Sequence, residues 1–294
     1  MKKIKTSIWF TFAVALIFPA ACFQDLAQEP PFSYPPNYVP QYSPLKVYLP
    51  MDDDEKNASN YRFGMTAIGG NFVDGHIGKT FEATENDFIV AAPPASLVDS
   101  LLQLGSFTFS FWINAPRPDG VRGIMSIAKK DHTLGFVNFY FENNNNGDQA
   151  YIKGYLRSYP PETPAGKNTW IDVGSVQPEG SSRVEGVWNR WTHLVFRYNG
   201  ETSKFSIFKD GVAVLNDRLL GSVAAPFGKL AFDPTQFDGK IVFGALAPKA
   251  GQTSGTQDAW VVNAKAIEGQ YDQIRFYNKA LSDTEIAGLY SSRE

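Results

Sequence analysis

Between residues 151 and 159, aromatic and cationic side chains occupy every second position. The set comprises Tyr151, Lys153, Tyr155, Arg157 and Tyr159. Alternate side chains of a β-strand point to one face, so these five would form a row while Ile152 and Leu156 enter the core. Such a row suits a sugar polymer, whose C–H faces stack on aromatic rings and whose hydroxyl or acidic groups meet lysine and arginine. Tyrosines that pair across strands for stability give the same pattern, and both interpretations stay open.

Trp170 and Trp260 form a second set of candidate ligand-binding residues. Trp170 lies in a stretch rich in proline and glycine between residues 160 and 180, and Trp260 follows in the polar segment after Gly251. Neither falls in a clear strand pattern, so both are predicted to lie in loops. A loop tryptophan can stack on a pyranose ring or close the end of a β-sandwich, and the sequence favours neither role.

The elements that must position these residues are almost all strands. Over residues 107–114, phenylalanine and isoleucine alternate with mainly polar residues, which predicts a half-buried strand. Asp210-Gly211 separates two β-rich segments and predicts a hairpin, because both turn positions tolerate positive φ. Many short strands at this spacing indicate a sandwich or a barrel. One short helix is predicted from Asp283 to about Tyr290, since Ser282 and Glu285 have the spacing of a capping box.

Several segments in a fixed order resemble the laminin-G-like domains of the concanavalin A-like lectin/glucanase superfamily. They are FVDGHIGKTF at 72–81, SFTFSFWI at 106–113, WNRWTHLV at 188–195, FKDG at 208–211 and YDQIRFYNKALS at 271–282. The resemblance covers about residues 45 to 291. It implies an all-β jelly roll of two antiparallel sheets with six or seven strands each. It also implies ligand sites on the concave face or in the rim loops.

Catalytic residues are not evident. Glycosidases on this scaffold carry two carboxylates about four residues apart on one strand face, and no strand of this sequence has that pair. Lyases of the same fold use a histidine together with arginine, glutamine and tyrosine. His76, His132 and His193 lack the neighbours that a general base needs. The sequence therefore predicts a binding protein, not an enzyme.

A calcium site is implied by the same resemblance. Asp52 follows the first predicted strand and Asp272 opens the last, and Ca²⁺ prefers several carboxylate and carbonyl oxygens on irregular backbone. The family's Asp-Ser-Ser-Gly-Asn loop is replaced here by NASNY at residues 57–61. A role in a turn or a helix cap is the alternative for either aspartate.

The N-terminus has the layout of a lipoprotein export signal that ends at Cys22, the only cysteine. Three lysines in the first five residues precede an apolar run over residues 8–18, which is too short to span a bilayer. Small residues then lead to Cys22. In such lipoproteins the cysteine is acylated and the peptide before it is removed, so Cys22 is the predicted lipid anchor. An ordinary cleaved signal is the alternative.

Residues 23–46 are rich in proline and tyrosine and are predicted to form an extended spacer before a domain at 47–294. A recognition strip made by its tyrosines is the alternative. Loss of the signal removes three lysines and leaves 24 basic against 30 acidic residues. This acidic balance, with no basic cluster, argues against nucleic-acid binding.

These observations predict a lipid-anchored, non-catalytic, lectin-like protein on the outer membrane of a Bacteroides-type bacterium. It would bind an oligo- or polysaccharide and work beside other outer-membrane glycan-uptake proteins. The alternatives are an adhesion or structural protein that binds another protein, and a degenerate glycoside hydrolase.

Overall fold

The computed structural model describes residues 42–292, except 53, 55, 57, 62, 131, 144–146 and 252–257. The predicted signal, Cys22 and nearly all of the predicted spacer lie outside the described residues. The first strand begins at Leu45, so the last two residues of the predicted spacer belong to the folded domain. Within the described ranges, no helix has the length and apolar composition that crossing a membrane requires.

The described residues form seventeen strands and three α-helices. The strands are β1 (Leu45–Leu49), β2 (Gly64–Ile68), β3 (Asn71–Asp74), β4 (Lys79–Ala83), β5 (Phe88–Ala92), β6 (Phe107–Asn114), β7 (Arg122–Lys129), β8 (Val137–Phe141), β9 (Ala150–Ser158), β10 (Lys167–Ile171), β11 (Arg183–Val184), β12 (Thr192–Asn199), β13 (Lys204–Lys209), β14 (Val212–Leu219), β15 (Phe237–Phe243), β16 (Lys265–Ala266) and β17 (Gly269–Tyr277). The helices are α1 (Ala95–Leu102), α2 (Ala259–Val262) and α3 (Asp283–Ser291).

Two antiparallel sheets contain these strands. Sheet A has eight strands in the order β14-β13-β12-β6-β17-β4-β3, with β1 paired to β17. Sheet B has nine in the order β10-β9-β8-β7-β15-β5-β2, with β11 paired to β9 and the short β16 running parallel to β7. The predicted all-β, two-sheet sandwich is therefore confirmed.

The core between the sheets is built largely from phenylalanine. Phe139 of β8 packs against Phe196 of β12 with ring centroids 4.6 Å apart, and Phe109 of β6 stacks on Phe243 of β15 at 5.8 Å. Because each buried phenylalanine contributes about 1.5–3 kcal/mol of transfer free energy, these inter-sheet contacts hold the two layers together.

Strand β6 departs from its predicted half-burial, because both of its faces are covered. Trp112, on the outer face, is only 5% exposed. The ring of His76 packs on it at 4.1 Å and that of Tyr290 stacks on it at 5.6 Å. The outer face of sheet A is thus covered by the turn before β4 and by α3.

The C-terminal helix matches its prediction, and its capping box is complete. Ser282 Oγ accepts from the backbone N–H of Glu285 at 3.2 Å, and Glu285 Oε2 accepts from the backbone N–H of Ser282 at 2.6 Å. Two further helices, α1 and α2, form in addition to the predicted one. Helix α1 is barely two turns long, so its apolar residues give only a weak periodic signal in the sequence. Tertiary packing of Leu97 and Leu101 stabilises it.

The hairpin prediction is confirmed as well. Asp210 and Gly211 join β13 to β14 with φ values of 50° and 79°. These are the positive values that a two-residue hairpin turn requires.

Candidate ligand-binding cleft on the outer face of sheet B

Strand β9 carries the row of alternating residues at 151–159 and lies next to the edge strand β10. Ile152 and Leu156 are fully buried in the core between the sheets, as the alternation predicts. Tyr155 instead belongs to a separate apolar cluster with Tyr140 of β8. The odd positions of β9 therefore point to the outer face of sheet B.

The expected exposure of this row is wrong at its aromatic positions. Tyr151 and Tyr155 are only 5% and 3% exposed. The Arg183 guanidinium lies over the Tyr151 ring at 3.9 Å, and the Trp170 ring packs on Tyr155 at 4.7 Å. Tyr159 lies one residue beyond the end of β9 and packs edge-on against the core residue Phe136 at 6.0 Å. Tyr151 and Tyr155 are therefore covered by neighbours that the strand pattern does not reveal, and Tyr159 is partly buried.

Trp170 and Trp260 lie on regular elements, not in loops. Trp170 is in β10, opposite Tyr155 in the register of the sheet. Trp260 is in α2 and packs on Tyr140 with ring centroids 5.0 Å apart. Both tryptophans remain partly open to solvent, at 45% and 37% exposure.

The structure joins the two sets of candidates that the sequence leaves separate. Trp170 and Trp260 have ring centroids 6.4 Å apart, so Tyr155, Trp170, Trp260 and Tyr140 form a continuous arc of rings, here called the aromatic platform. A sugar placed between two rings needs about 3.5–4 Å to each ring, or a ring-to-ring separation of roughly 7–8 Å. The separation of the two tryptophans is smaller, so a sugar cannot enter between them. They form one exposed surface on which a ligand can lie, and the two buried tyrosines support it from below.

Burial determines the protonation state of the two supporting tyrosines. It raises the pKa of both Tyr140 and Tyr155, so both hydroxyls stay neutral at physiological pH. The Tyr155 hydroxyl oxygen accepts from Arg157 Nη2 at 2.6 Å and Nε at 3.0 Å. Arg157 thus holds Tyr155 in place through two of its guanidinium nitrogens.

Beside the platform, Lys153 lies between two carboxylates in what is here called the acid–lysine cluster. Lys153 Nζ is 3.0 Å from Glu142 Oε2 and 3.1 Å from Asp172 Oδ2. Burial opposes the charge of Lys153, but the two carboxylates outweigh it, so the Lys153 pKa lies above its ordinary value. The Tyr151 hydroxyl donates to Asp172 Oδ1, which holds that carboxylate from the other side.

The platform and the cluster border one cleft of about 450 Å³. It is lined by Val121, Tyr140, Glu142, Asn143, Lys153, Trp170, Asp172 and Trp260. Tyr140 and Asp172 are not among the site residues that the sequence predicts. A period-two pattern could have indicated both residues. Asp172 lies two residues after Trp170, and Tyr140 lies at an outward position in the alternation of β8.

The two predicted calcium ligands lie near each other. Asp272 is fully buried; its Oδ2 accepts from the backbone N–H of Ile77 at 3.1 Å, and its Oδ1 has no hydrogen-bond partner. Burial, together with the charge of Asp52, raises the Asp272 pKa to about 7. Asp52 Oδ1 accepts from the backbone N–H of Lys79 at 3.0 Å. Among the described residues, no group of three or more His, Cys, Asp or Glu side chains is placed to hold a metal.

Three solved structures share the fold of this chain. Domain 4 of AbnA, a GH43 extracellular arabinanase from Geobacillus stearothermophilus, in complex with arabinotriose, has a TM-score of 0.51 at 16% identity over 84% of this chain and 98% of that domain. The binding domain of Paraclostridial Mosquitocidal Protein 1 has a TM-score of 0.54 at 17% identity, over 84% and 52%. The receptor-binding domain of a botulinum neurotoxin C/D mosaic has a TM-score of 0.51 at 14% identity, over 84% and 50%.

These likenesses show a shared β-sandwich fold, and the chain spans about half the length of the mosquitocidal-protein and botulinum neurotoxin domains. No protein-family model and no curated protein matches this chain.

Proposed function

We propose that this protein is a lectin-like, non-catalytic carbohydrate-binding protein whose glycan lies on the aromatic platform. The observation that carries the proposal is the pair of part-exposed tryptophans beside a cluster of charged hydrogen-bonding groups. An aromatic surface with a few convergent polar groups is typical of a ligand site. The arabinanase domain of the same fold, solved with arabinotriose, supports a sugar as the ligand class.

The position of Lys153 supports binding without catalysis. A glycosidase needs two carboxyl groups with open space between them for the glycosidic oxygen or a water molecule. Here the Lys153 ammonium occupies that space, in contact with both Glu142 and Asp172. The pair is therefore built to hold a ligand, and a degenerate hydrolase is the weaker interpretation.

Replacement of the exposed tryptophans tests the proposal. Trp170→Ala and Trp260→Ala should each weaken retention on the bound polysaccharide by about 2 kcal/mol, roughly thirtyfold, because stacked aromatics dominate such interfaces. Tyr290→Ala is the control, since its ring is 40% exposed on the outer face of sheet A. Unchanged retention in both tryptophan variants would remove the cleft as the site.

The proposal extends to the location of the protein. Acylation of Cys22 would hold the domain on the bacterial outer membrane, and the spacer at 23–46 would set it at a distance from the lipid. Bound glycan would then be close to other outer-membrane glycan-uptake proteins.

Calcium is the proposed cofactor of the site near the chain ends. The carboxylate oxygen of Asp272 that is buried without a partner fits a cation, and Asp52 with backbone carbonyls would complete the ligand set. A ligand that binds only the native state stabilises it by mass action, so a chelator should lower the melting temperature of the wild type but not of Asp272→Ala. Equal melting of the wild type with and without the chelator would remove calcium from the proposal.

A further inference from the structure

Both cations on strand β9 already have partners within the protein. Lys153 is paired with both Glu142 and Asp172. Arg157 donates to Tyr155 and lies 3.3 Å from a ring nitrogen of His132, and it is not among the residues that line the cleft. The charge of Lys153 is therefore already compensated by two carboxylates, and Arg157 lies outside the lining of the cleft.

The lining of the cleft carries a negative balance. Among the described lining residues, the charged side chains are Glu142, Asp172 and Lys153, two carboxylates against one ammonium. Arg183 stacks on the Tyr151 ring and donates to the Gly174 carbonyl oxygen at 3.0 Å. It does not line the cleft. A ligand carboxylate or sulfate in the cleft would meet like charge.

The acid–lysine cluster is well suited to uncharged sugars. An ionised carboxylate offers about four lone-pair sites, and an ammonium offers three donors. Glu142 accepts from Lys153 and from the backbone N–H of Asn143 at 2.8 Å, and Asp172 accepts from Lys153 and Tyr151. Asp172 thus keeps acceptor sites for sugar hydroxyls, and Glu142 lies beside it in the lining of the cleft. Lys153 uses two donors on the carboxylates and has a third to give to a ligand oxygen.

We infer that the cleft selects uncharged, hydroxyl-rich glycans and excludes anionic ones. The inference rests on the proposed carbohydrate-binding function and names its ligand class. Within it, Lys153 is a positioning residue that holds Glu142 and Asp172 side by side, and the two carboxylates accept from hydroxyl groups of the glycan while a tryptophan covers a C–H face.

Matched pairs of polysaccharides test the inference. Native glucan, galactan and mannan are each compared with the same polymer oxidised at C6, which replaces a hydroxymethyl group by a carboxylate and leaves the backbone linkage intact. The wild-type protein should be retained at least about tenfold more strongly by a native polymer than by its oxidised form, because like charges repel in a partly desolvated site. The discrimination should weaken at high salt, where exposed charges are screened.

Asp172→Asn removes one negative charge with little change of shape, and it should shrink the discrimination to about threefold or less. Glu142→Gln is the second variant, should the first fail to fold. Asp217→Asn is the matched control. Asp217 is exposed to a similar degree and is paired with Lys204 at 3.2 Å and Arg197 at 3.4 Å, but it lies on sheet A.

Equal or stronger retention of the wild type on an oxidised polymer would overturn the inference and leave glycan binding in place. Retention on neither form of any polymer would overturn the proposed function as well.

Discussion

At the residue scale, the platform separates residues that contact a ligand from residues that support the contact. Trp170 and Trp260 present their rings to solvent, whereas Tyr155 and Tyr140 lie beneath them and are nearly inaccessible. Substitutions in the two groups should therefore have different readouts. Loss of a tryptophan removes contact area from the ligand, and loss of a tyrosine leaves a cavity in the protein.

Tyr155→Ala should destabilise the fold by about 3 kcal/mol, as large-to-small changes at buried aromatic positions do. Tyr155→Phe keeps the ring but loses the acceptor for Arg157, which should cost about 1 kcal/mol. Chemical denaturation of both variants measures these losses. A Tyr155→Ala protein as stable as the wild type, with binding abolished, would mean that this ring contacts the ligand directly.

His193 gives the protein a specific response to acid. It is fully buried, its Nε2 shares a 2.8 Å hydrogen bond with the Ser110 hydroxyl, and burial lowers its pKa from 6.5 to about 3. Between pH 6.5 and about 3, His193 is protonated in the unfolded chain but stays neutral in the folded state. The stability that neutral His193 contributes is therefore fully present above pH 6.5. It is lost as the pH falls from there toward 3.

The stability advantage of the wild type over His193→Gln should therefore shrink by up to about 1.4 kcal/mol per pH unit below pH 6.5. Denaturant unfolding of both proteins between pH 8 and pH 4 measures this difference. The raised pKa of Asp272 changes the free energy of unfolding in the opposite direction over much of the same pH range. Both proteins contain Asp272, so its contribution cancels when the free energy of the variant is subtracted from that of the wild type. A constant difference across that range would contradict the buried, neutral state of His193.

At the element scale, the edge strand β10 shapes the cleft, and the helix α3 covers part of sheet A. β10 is the edge of sheet B, yet it carries Trp170 and leads directly to Asp172, so the pairing of β10 with β9 sets the geometry of the cleft. α3 instead covers sheet A, where Leu281 and Ile286 belong to one apolar cluster with Val195 and Phe208. The capping box holds the start of this helix over the sheet.

Ser282→Ala should destabilise the protein by about 1 kcal/mol, since it leaves the backbone N–H of Glu285 in the first turn of α3 without its acceptor. Ser291→Ala, at the exposed end of the same helix, is the control and should change stability by less than about 0.5 kcal/mol. Hydrogen bonds from Lys279 and Ser282 lower the Glu285 pKa to about 2, so the same difference between the variants should persist at pH 4. Equal stability of the two variants would contradict the cap.

At the scale of the whole molecule, the proposed lipid anchor at Cys22 lies outside the described domain. The domain contains no helix, within its described residues, that could hold it in a bilayer. Cys22→Ser should therefore abolish lipid labelling and move the protein from the membrane fraction to the soluble fraction, because one acylated residue is the proposed attachment. Continued membrane association of the Ser variant would contradict the lipoprotein hypothesis.

The sequence by itself determined those parts of the local structure whose signals are local. Period-two patterning places Ile152 and Leu156 in the core, Asp210-Gly211 makes a hairpin, and Ser282 caps a helix, each through residues within a few positions of one another. The tertiary structure decided which side chains remain accessible. Pairing of β10 with β9 buries Tyr155 under Trp170, and α2 brings Trp260 beside a ring ninety positions earlier in the chain. Strand periodicity assigns a residue to one face of a sheet. The exposure of that face depends on which segments, distant in sequence, cover it.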